Sequence, residues 1–176
     1  MNVIFLDFDG VIDTYHFQSY EDMEKKVKIL ADICHEYDCK VVIEASVKTV
    51  IDYDTLEVDE NVFWVRHIFE CFKKYGIECI GRTPNDVRLD KPLWKEDEIR
   101  AYLAKHPEIE HFCVIDDDDL GPKHSDLSKL DGYVVRPLDY CTNPFEEGLL
   151  PKHKEEVGRI LQKENNIRKL ILKYKK

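Results

Sequence analysis

Short runs of β-branched and aromatic residues alternate with helix-period segments along the whole chain, and this alternation constrains the fold more than any other feature. Val3–Phe8 is a near-continuous apolar run, the pattern of a strand buried on both faces of a parallel sheet. From Met23 the apolar positions fall at Val27, Leu30, Cys34 and Tyr37, at spacings of 4, 3, 4 and 3, which is one face of a helix. Residues 40–45 (KVVIEA) read as the next strand, Val62, Val65, Phe69 and Phe72 as a helix ended near Gly76, and residues 77–80 as a third strand. Pro84 and Pro92 bracket a loop. A helix is expected over Lys95–Lys105, a fourth strand over His111–Ile115 and a fifth over Gly132–Val135. Val157, Ile160, Leu161, Ile167, Leu170 and Ile171 mark a long amphipathic C-terminal helix. Strand, helix, strand, helix, repeated along 176 residues without a linker or internal repeat, predicts one α/β domain over 1–176. The expected sheet is open, mostly parallel and five-stranded, with helices on both faces.

Composition narrows the function. Acids outnumber bases 36 to 26, a formal net charge of −10, so general affinity for nucleic acid or an anionic membrane is not expected. Apolar runs stay far short of a membrane span, and the N-terminus lacks a basic region followed by an apolar stretch, so a cytoplasmic location is expected. The six cysteines form no CxxC pair and no Cys/His cluster with zinc-ligand spacing, so reduced structural thiols are expected; the seven histidines show no ligand spacing either.

Two of the expected strands run into carboxylates. The first ends Asp7-Phe8-Asp9-Gly10 and the fourth Asp116-Asp117-Asp118-Asp119. In open α/β sheets ligands bind beyond the carboxyl ends of the strands. Two unit charges ~4 Å apart repel by about 4 kcal/mol at an effective dielectric near 20, so acids gathered there call for a cation. Oxygen ligands without His or Cys suit Mg²⁺, which takes one or two carboxylates plus a phosphate.

Residues 4–11, Ile-Phe-Leu-Asp-Phe-Asp-Gly-Val, resemble the first motif of the haloacid dehalogenase (HAD) superfamily, a DxDG box after a hydrophobic strand, and the likeness extends from residue 3 to about 119. Its later motifs have candidates in order: Ser46, Lys95 with Lys91 as rival, and Asp116/Asp117. Residues 81–84 (GRTP) and 95–103 (KEDEIRAYL) also look like a branch of the superfamily found in or near RNA-repair proteins. The resemblance implies a Rossmann-like three-layer HAD fold and an Mg²⁺-dependent phosphatase. By this likeness Asp7 is the nucleophile that becomes an aspartyl phosphate and Asp9 the general acid and base. Lys95 bridges Asp7 and a phosphoryl oxygen, Ser46 donates to the phosphate, and the metal is held by Asp7, the Asp9 carbonyl, Asp116 and Asp117. Gly10 lets the backbone turn so that both acids face the crevice.

The family's caps are inserted after the first motif or between the second and third, and neither interval here has room for a sizeable one. Capless relatives have open sites, so the implied substrate is a phosphate on a large molecule, a protein or a nucleic-acid end. The last nine residues hold five bases and no acid, read as a solvated helix end favoured by the helix dipole. A receiver domain also gathers acids and Mg²⁺ at strand ends, but it wants an acid pair after the first strand and a lone Asp after the third, the reverse of this chain. The other alternative is a catalytically degenerate HAD scaffold. It draws on Glu44, an acceptor-only group that stands directly after the apolar run where the family hydroxyl often sits. A strand end shifted by two would put Ser46 there instead, since residues two apart share a face.

Overall fold

The computed structural model describes residues 1–84, 87–88, 91–92, 95–118, 120 and 130–163, with the backbone alone at 87–88, 91–92 and 131. Five parallel strands form one sheet in the order β3-β2-β1-β6-β7. They are β1 (Asn2–Leu6), β2 (Cys39–Ile43), β3 (Cys79–Arg82), β6 (His111–Ile115) and β7 (Val134–Val135). The helices are α1 (Tyr20–Tyr37), α2 (Phe63–Lys74), α3 (Lys95–Lys105) and α4 (His153–Leu161). The expected α/β architecture is present, and α3 and β6 have the bounds read from the sequence.

Three local readings change. Between Pro84 and Pro92, where a loop is expected, β4 (Val87–Arg88) and β5 (Lys91–Pro92) form a two-stranded antiparallel pair. Residues 131–133 form a 3₁₀ turn, so of the strand expected over Gly132–Val135 only Val134 and Val135 are in the sheet. The C-terminal helix is seen over His153–Leu161, while Ile167, Leu170, Ile171 and the basic tail lie outside the described residues.

The period of two along β1 divides the interior. Ile4 and Leu6 join a core with Val27 and Leu30 of α1, Ile68 and Phe72 of α2, and Val157 of α4. Val3 and Phe5 point the other way and join Ile99, Tyr102 and Leu103 of α3. Fully burying each such side chain contributes about 1.5–3 kcal/mol. Phe5 meets Tyr102 and Phe112 edge-on, at ring centroid distances of 5.8 and 6.0 Å. Gly81 on β3 lets α3 come this close, because a Cβ there would fall 2.4 Å from the Tyr102 hydroxyl. All six cysteines are free, as expected. Among the described residues no helix is long and apolar enough to cross a membrane.

Candidate active site

Register puts the charges together. Leu6, the last residue of β1, pairs with Ile43 of β2 on one side and Ile115 of β6 on the other. The next residue of each strand is a carboxylate: Asp7, Glu44 and Asp116. The ladder continues through them, with Glu44 N donating to Leu6 O (2.9 Å) and Asp7 N to Ile115 O (3.0 Å). Each lies two residues beyond a side chain packed toward α3, namely Phe5, Val42 and Val114. By the strand period all three acids therefore face α3.

Lys95, the first residue of α3, meets them there. Its Nζ lies 2.5 Å from Asp7 Oδ2, 2.8 Å from Asp116 Oδ2 and 3.7 Å from Glu44 Oε2. Lys95 is thus the lysine set against the candidate nucleophile; the side chain of its rival Lys91 lies outside the described residues. One ammonium does not balance three buried carboxylates. Burial, reinforced by the Asp116 charge, pushes Asp7 up to about 6 against the pull of Lys95. Burial also pushes Glu44 well above the usual carboxylate range, and Asp116 and Asp7 add to it. For Lys95, burial alone would lower the ammonium, but Glu44, Asp7 and Asp116 reverse this and hold it above its ordinary value.

The loop after β1 is wound around one acceptor: Phe8 O takes bonds from the backbone N–H of Val11, Ile12 and Asp13. This winding brings Gly10 to φ +71°, and a Cβ there would lie 2.3 Å from Asp117 Cγ. A glycine is required on both counts. Asp117 therefore seats its carboxyl directly against the DxDG turn, where burial and the charges of Asp116 and Asp7 push it up to about 7. Asp119, the last of the four-Asp run, lies outside the described residues.

Asp9 is exposed at the mouth, and its Oδ2 accepts a 3.0 Å hydrogen bond from Ser46 Oγ. Ser46 is not on the strand. β2 stops at Ile43, and Ser46 opens the 3₁₀ turn Ser46–Val50, so its hydroxyl reaches Asp9 rather than the interior. Glu44 takes the interior position at 0% exposure, and neither of its oxygens has a hydrogen bond. The sequence alternatives of Glu44 or Ser46 thus resolve geometrically into two places at one crevice. Lys48, not singled out from sequence, fastens the turn to α3 by pairing with Glu98 and donating to Thr83 Oγ1 (3.0 Å).

Asp7, Glu44 and Asp116 offer oxygens within 4.8 Å of one another. Such an oxygen-only donor set fits a hard divalent cation, and the two Glu44 oxygens, buried without a hydrogen-bond partner, are free to accept one. A second group, Glu24, His67 and Cys71, is also close enough to share a metal ion. This departs from the expectation that no histidine has ligand spacing: His67 and Cys71 stand four apart and share one face of α2, while Glu24 comes from α1, and no local signal links it to them. Its members are engaged elsewhere, Glu24 with Lys74 and the Tyr75 hydroxyl (2.6 Å), and His67 Nε2 at 3.0 Å from Tyr20 O.

No curated protein and no solved structure matches the chain significantly. A family model does, over residues 3–137, a span that runs from the first residues of β1 past β7 and takes in every side chain of the crevice. With an acid box turned by Gly10, a lysine from α3 on the first acid and an acid run after β6, the chain belongs to the family described as the HAD domain in Swiss Army Knife RNA repair proteins.

Proposed function

We propose that the protein is an Mg²⁺-dependent phosphatase that hydrolyses a phosphate monoester through an aspartyl-phosphate on Asp7. The observation that carries the reading is the placement of Asp7, buried at the end of β1, with Lys95 Nζ at 2.5 Å and Asp116 sharing the same ammonium. Membership of a HAD-domain family supports a phosphohydrolase-type function, and the HAD superfamily is generally Mg²⁺-dependent. Asp7, the Asp9 carbonyl, Asp116 and Asp117 would hold the ion. When bound, Mg²⁺ neutralises charge so that an anionic carboxylate can meet an anionic phosphate.

The chain's own groups supply the rest. The Asp7 carboxylate attacks phosphorus as the bond to the ester oxygen breaks, and Asp9 gives its proton to that oxygen. Asp9 then takes a proton from the water that attacks the phosphorus, which frees Asp7 and releases inorganic phosphate. The Ser46 hydroxyl, on Asp9 Oδ2, orients this acid and base. Lys95 holds the Asp7 carboxylate in place and offsets charge on the transferring group. No domain is inserted between β1 and α1, and from β2 to α3 the described residues hold, besides turns, α2, β3 and the short β4–β5 pair, which supports an open site acting on a phosphate carried by a larger molecule.

One observation favours a second reading, a degenerate HAD scaffold. Glu44 stands inside the crevice, and an ionised carboxylate there repels phosphate. Release of inorganic phosphate from an aryl phosphate, with and without Mg²⁺, separates the two. Turnover is expected with the ion and is expected to vanish in Asp7→Asn, which keeps the shape and loses the attacking charge. Full turnover in Asp7→Asn would place the nucleophile elsewhere, and none in the native protein would favour the scaffold.

A further inference from the structure

Seven large apolar side chains stand exposed among the described residues, and four of them, Tyr15, Leu138, Tyr140 and Phe145, belong to two loops beside the crevice. Tyr15 is 63% exposed, Tyr140 65% and Phe145 77%. Tyr15 and Tyr140 meet edge to face at 5.0 Å, His16 stacks on Tyr140 at 5.5 Å and 21°, and Phe17 reaches Phe145 at 5.8 Å. Exposed rings cost hydration free energy, and a cluster of them marks a binding surface.

The cluster is held in shape from beneath. Glu147, fully buried, accepts from the backbone N–H of His16 (3.1 Å) and of Cys141 (3.3 Å), and its other contact is His16 Nδ1 at 2.5 Å. Gly148, at φ +67°, lies where a Cβ would come within 2.7 Å of Val11 O, and Leu149 N donates to that carbonyl (2.9 Å), so the two loops are clasped backbone to backbone. A preorganised platform of rings loses little entropy on binding.

Its position ties it to the chemistry. Gly10 N donates to Asp13 O (2.7 Å), and Asp9 bridges to Asp13, so Tyr15 begins two residues from the turn that carries Asp9. Asp13 Oδ1 is buried without a hydrogen-bond partner, an acceptor waiting for a donor. Neither loop (residues 9–19 and 138–148) contains Lys or Arg, while Asp9, Asp13 and Asp139 lie on them. This is no track for a polyanionic backbone. It suits a flat ring that carries hydrogen-bond donors and a single phosphate.

We propose that the Tyr15–His16–Tyr140 rim stacks the base of a nucleoside whose terminal phosphate enters the Asp7 crevice, with Asp13 accepting from a sugar hydroxyl or base amino group. The substrate class is a nucleoside with a terminal phosphate, free or at the end of a single strand, and the inference rests on the phosphatase reading above. The test measures kcat/KM with Mg²⁺ for 3′- and 5′-nucleoside monophosphates and for a short single-stranded oligonucleotide with a terminal phosphate. Glycerol phosphate and phosphoserine and phosphotyrosine peptides serve as comparisons. Saturation-transfer NMR of a nucleoside monophosphate on the Asp7→Asn protein gives a readout without turnover.

A preference for the nucleoside substrates is expected, carried by KM. It should fall about fivefold or more over glycerol phosphate in Tyr140→Ala and in Tyr15→Ala, with loss of transfer to the base protons. Phe63→Ala, exposed on α2, is the control that changes neither. Activity on the oligonucleotide alone, or on the mononucleotides alone, identifies the source and supports the rim in either case. Equal turnover of glycerol phosphate and nucleotides, insensitive to Tyr140→Ala, overturns the rim and leaves the phosphatase standing. So does a preference for a phosphopeptide. A native dimer that Tyr140→Ala dissociates, without change in substrate preference, makes the patch a self-association surface and overturns it too. Absence of all turnover with base contacts intact in the NMR overturns the phosphatase reading and leaves the rim.

Discussion

Among the described residues Lys95 is the cation that pairs with all three buried acids, and Lys95→Met tests whether that ammonium holds the crevice together. Methionine keeps the length and apolar stem of the side chain and removes the contacts at 2.5 Å to Asp7, 2.8 Å to Asp116 and 3.7 Å to Glu44. Lys95 is only 26% exposed, so solvent screens these contacts weakly. Leaving buried charges without their partner costs about 3–5 kcal/mol. The acids can escape part of that cost by taking up protons, which makes the penalty depend on pH. Asp7 already shows the sign: burial and Asp116 raise it from 3.8 to about 6, so the folded protein binds a proton that the unfolded chain releases. Stability from this group is greatest at acid pH and falls by about 3 kcal/mol as pH rises from 4 through 6. Without Lys95 the attraction that lowers Asp7 is gone, so the fall extends to higher pH. Urea denaturation followed by far-UV circular dichroism, in EDTA at pH 5, 6.5 and 8, measures this. The variant should lose about 3–5 kcal/mol at pH 8 and markedly less at pH 5. A loss below about 1 kcal/mol at pH 8, or one of the same size at all three values, would refute the charge argument.

Mg²⁺ at a hundred times its dissociation constant should stabilise the native fold by about 2.7 kcal/mol, and the gain should shrink at pH 5, where protons compete for Asp7 and Asp117; a melting temperature indifferent to millimolar Mg²⁺ against an EDTA control would argue against the site. Ser46→Ala removes the hydroxyl from Asp9 and should lower kcat about tenfold with the fold intact, read from turnover of an aryl phosphate. Gly10→Ala drives a methyl into the Asp117 carboxyl and strains a positive-φ turn, so it should abolish turnover and weaken Mg²⁺ binding measured by calorimetry. Glu44→Gln should stabilise the metal-free protein more as pH rises, since it removes a carboxyl that has no hydrogen bond and whose ionisation burial opposes; a gain in the denaturation midpoint of the same size at pH 5 and at pH 8, or none at either, would contradict that.

The parts of this protein that sequence conveys are those governed by local period. The apolar run from Val3 marks β1 because the strand is buried on both faces, and the 4-3-4-3 spacing from Met23 to Tyr37 marks the face that α1 buries. Lys95 follows from the start of a helix that could be read in place. The role of Glu44 could not be read so, because it depends on where β2 stops relative to β1. That is settled by hydrogen bonds between residues 37 apart, Leu6 against Ile43, and by nothing in the sequence around Glu44. The strand stops one residue before Glu44 and the chain turns into a 3₁₀ helix, so Ser46 loses the face it would have shared and swings to Asp9. The aromatic rim was equally hidden: His16 and Glu147 stand 131 residues apart, and only the closed fold brings the buried carboxylate under the exposed rings. Both cases concern a buried acid whose neighbours come from distant strands and loops. A carboxylate placed by register alone can be satisfied, as Glu147 is by two backbone N–H groups and a histidine, or left wanting, as Glu44 is. The satisfied one shapes a binding surface. The unsatisfied one sits beside Asp7 and Lys95, where an incoming cation or phosphate changes its surroundings most, and this places Glu44 among the groups that decide how this crevice handles charge.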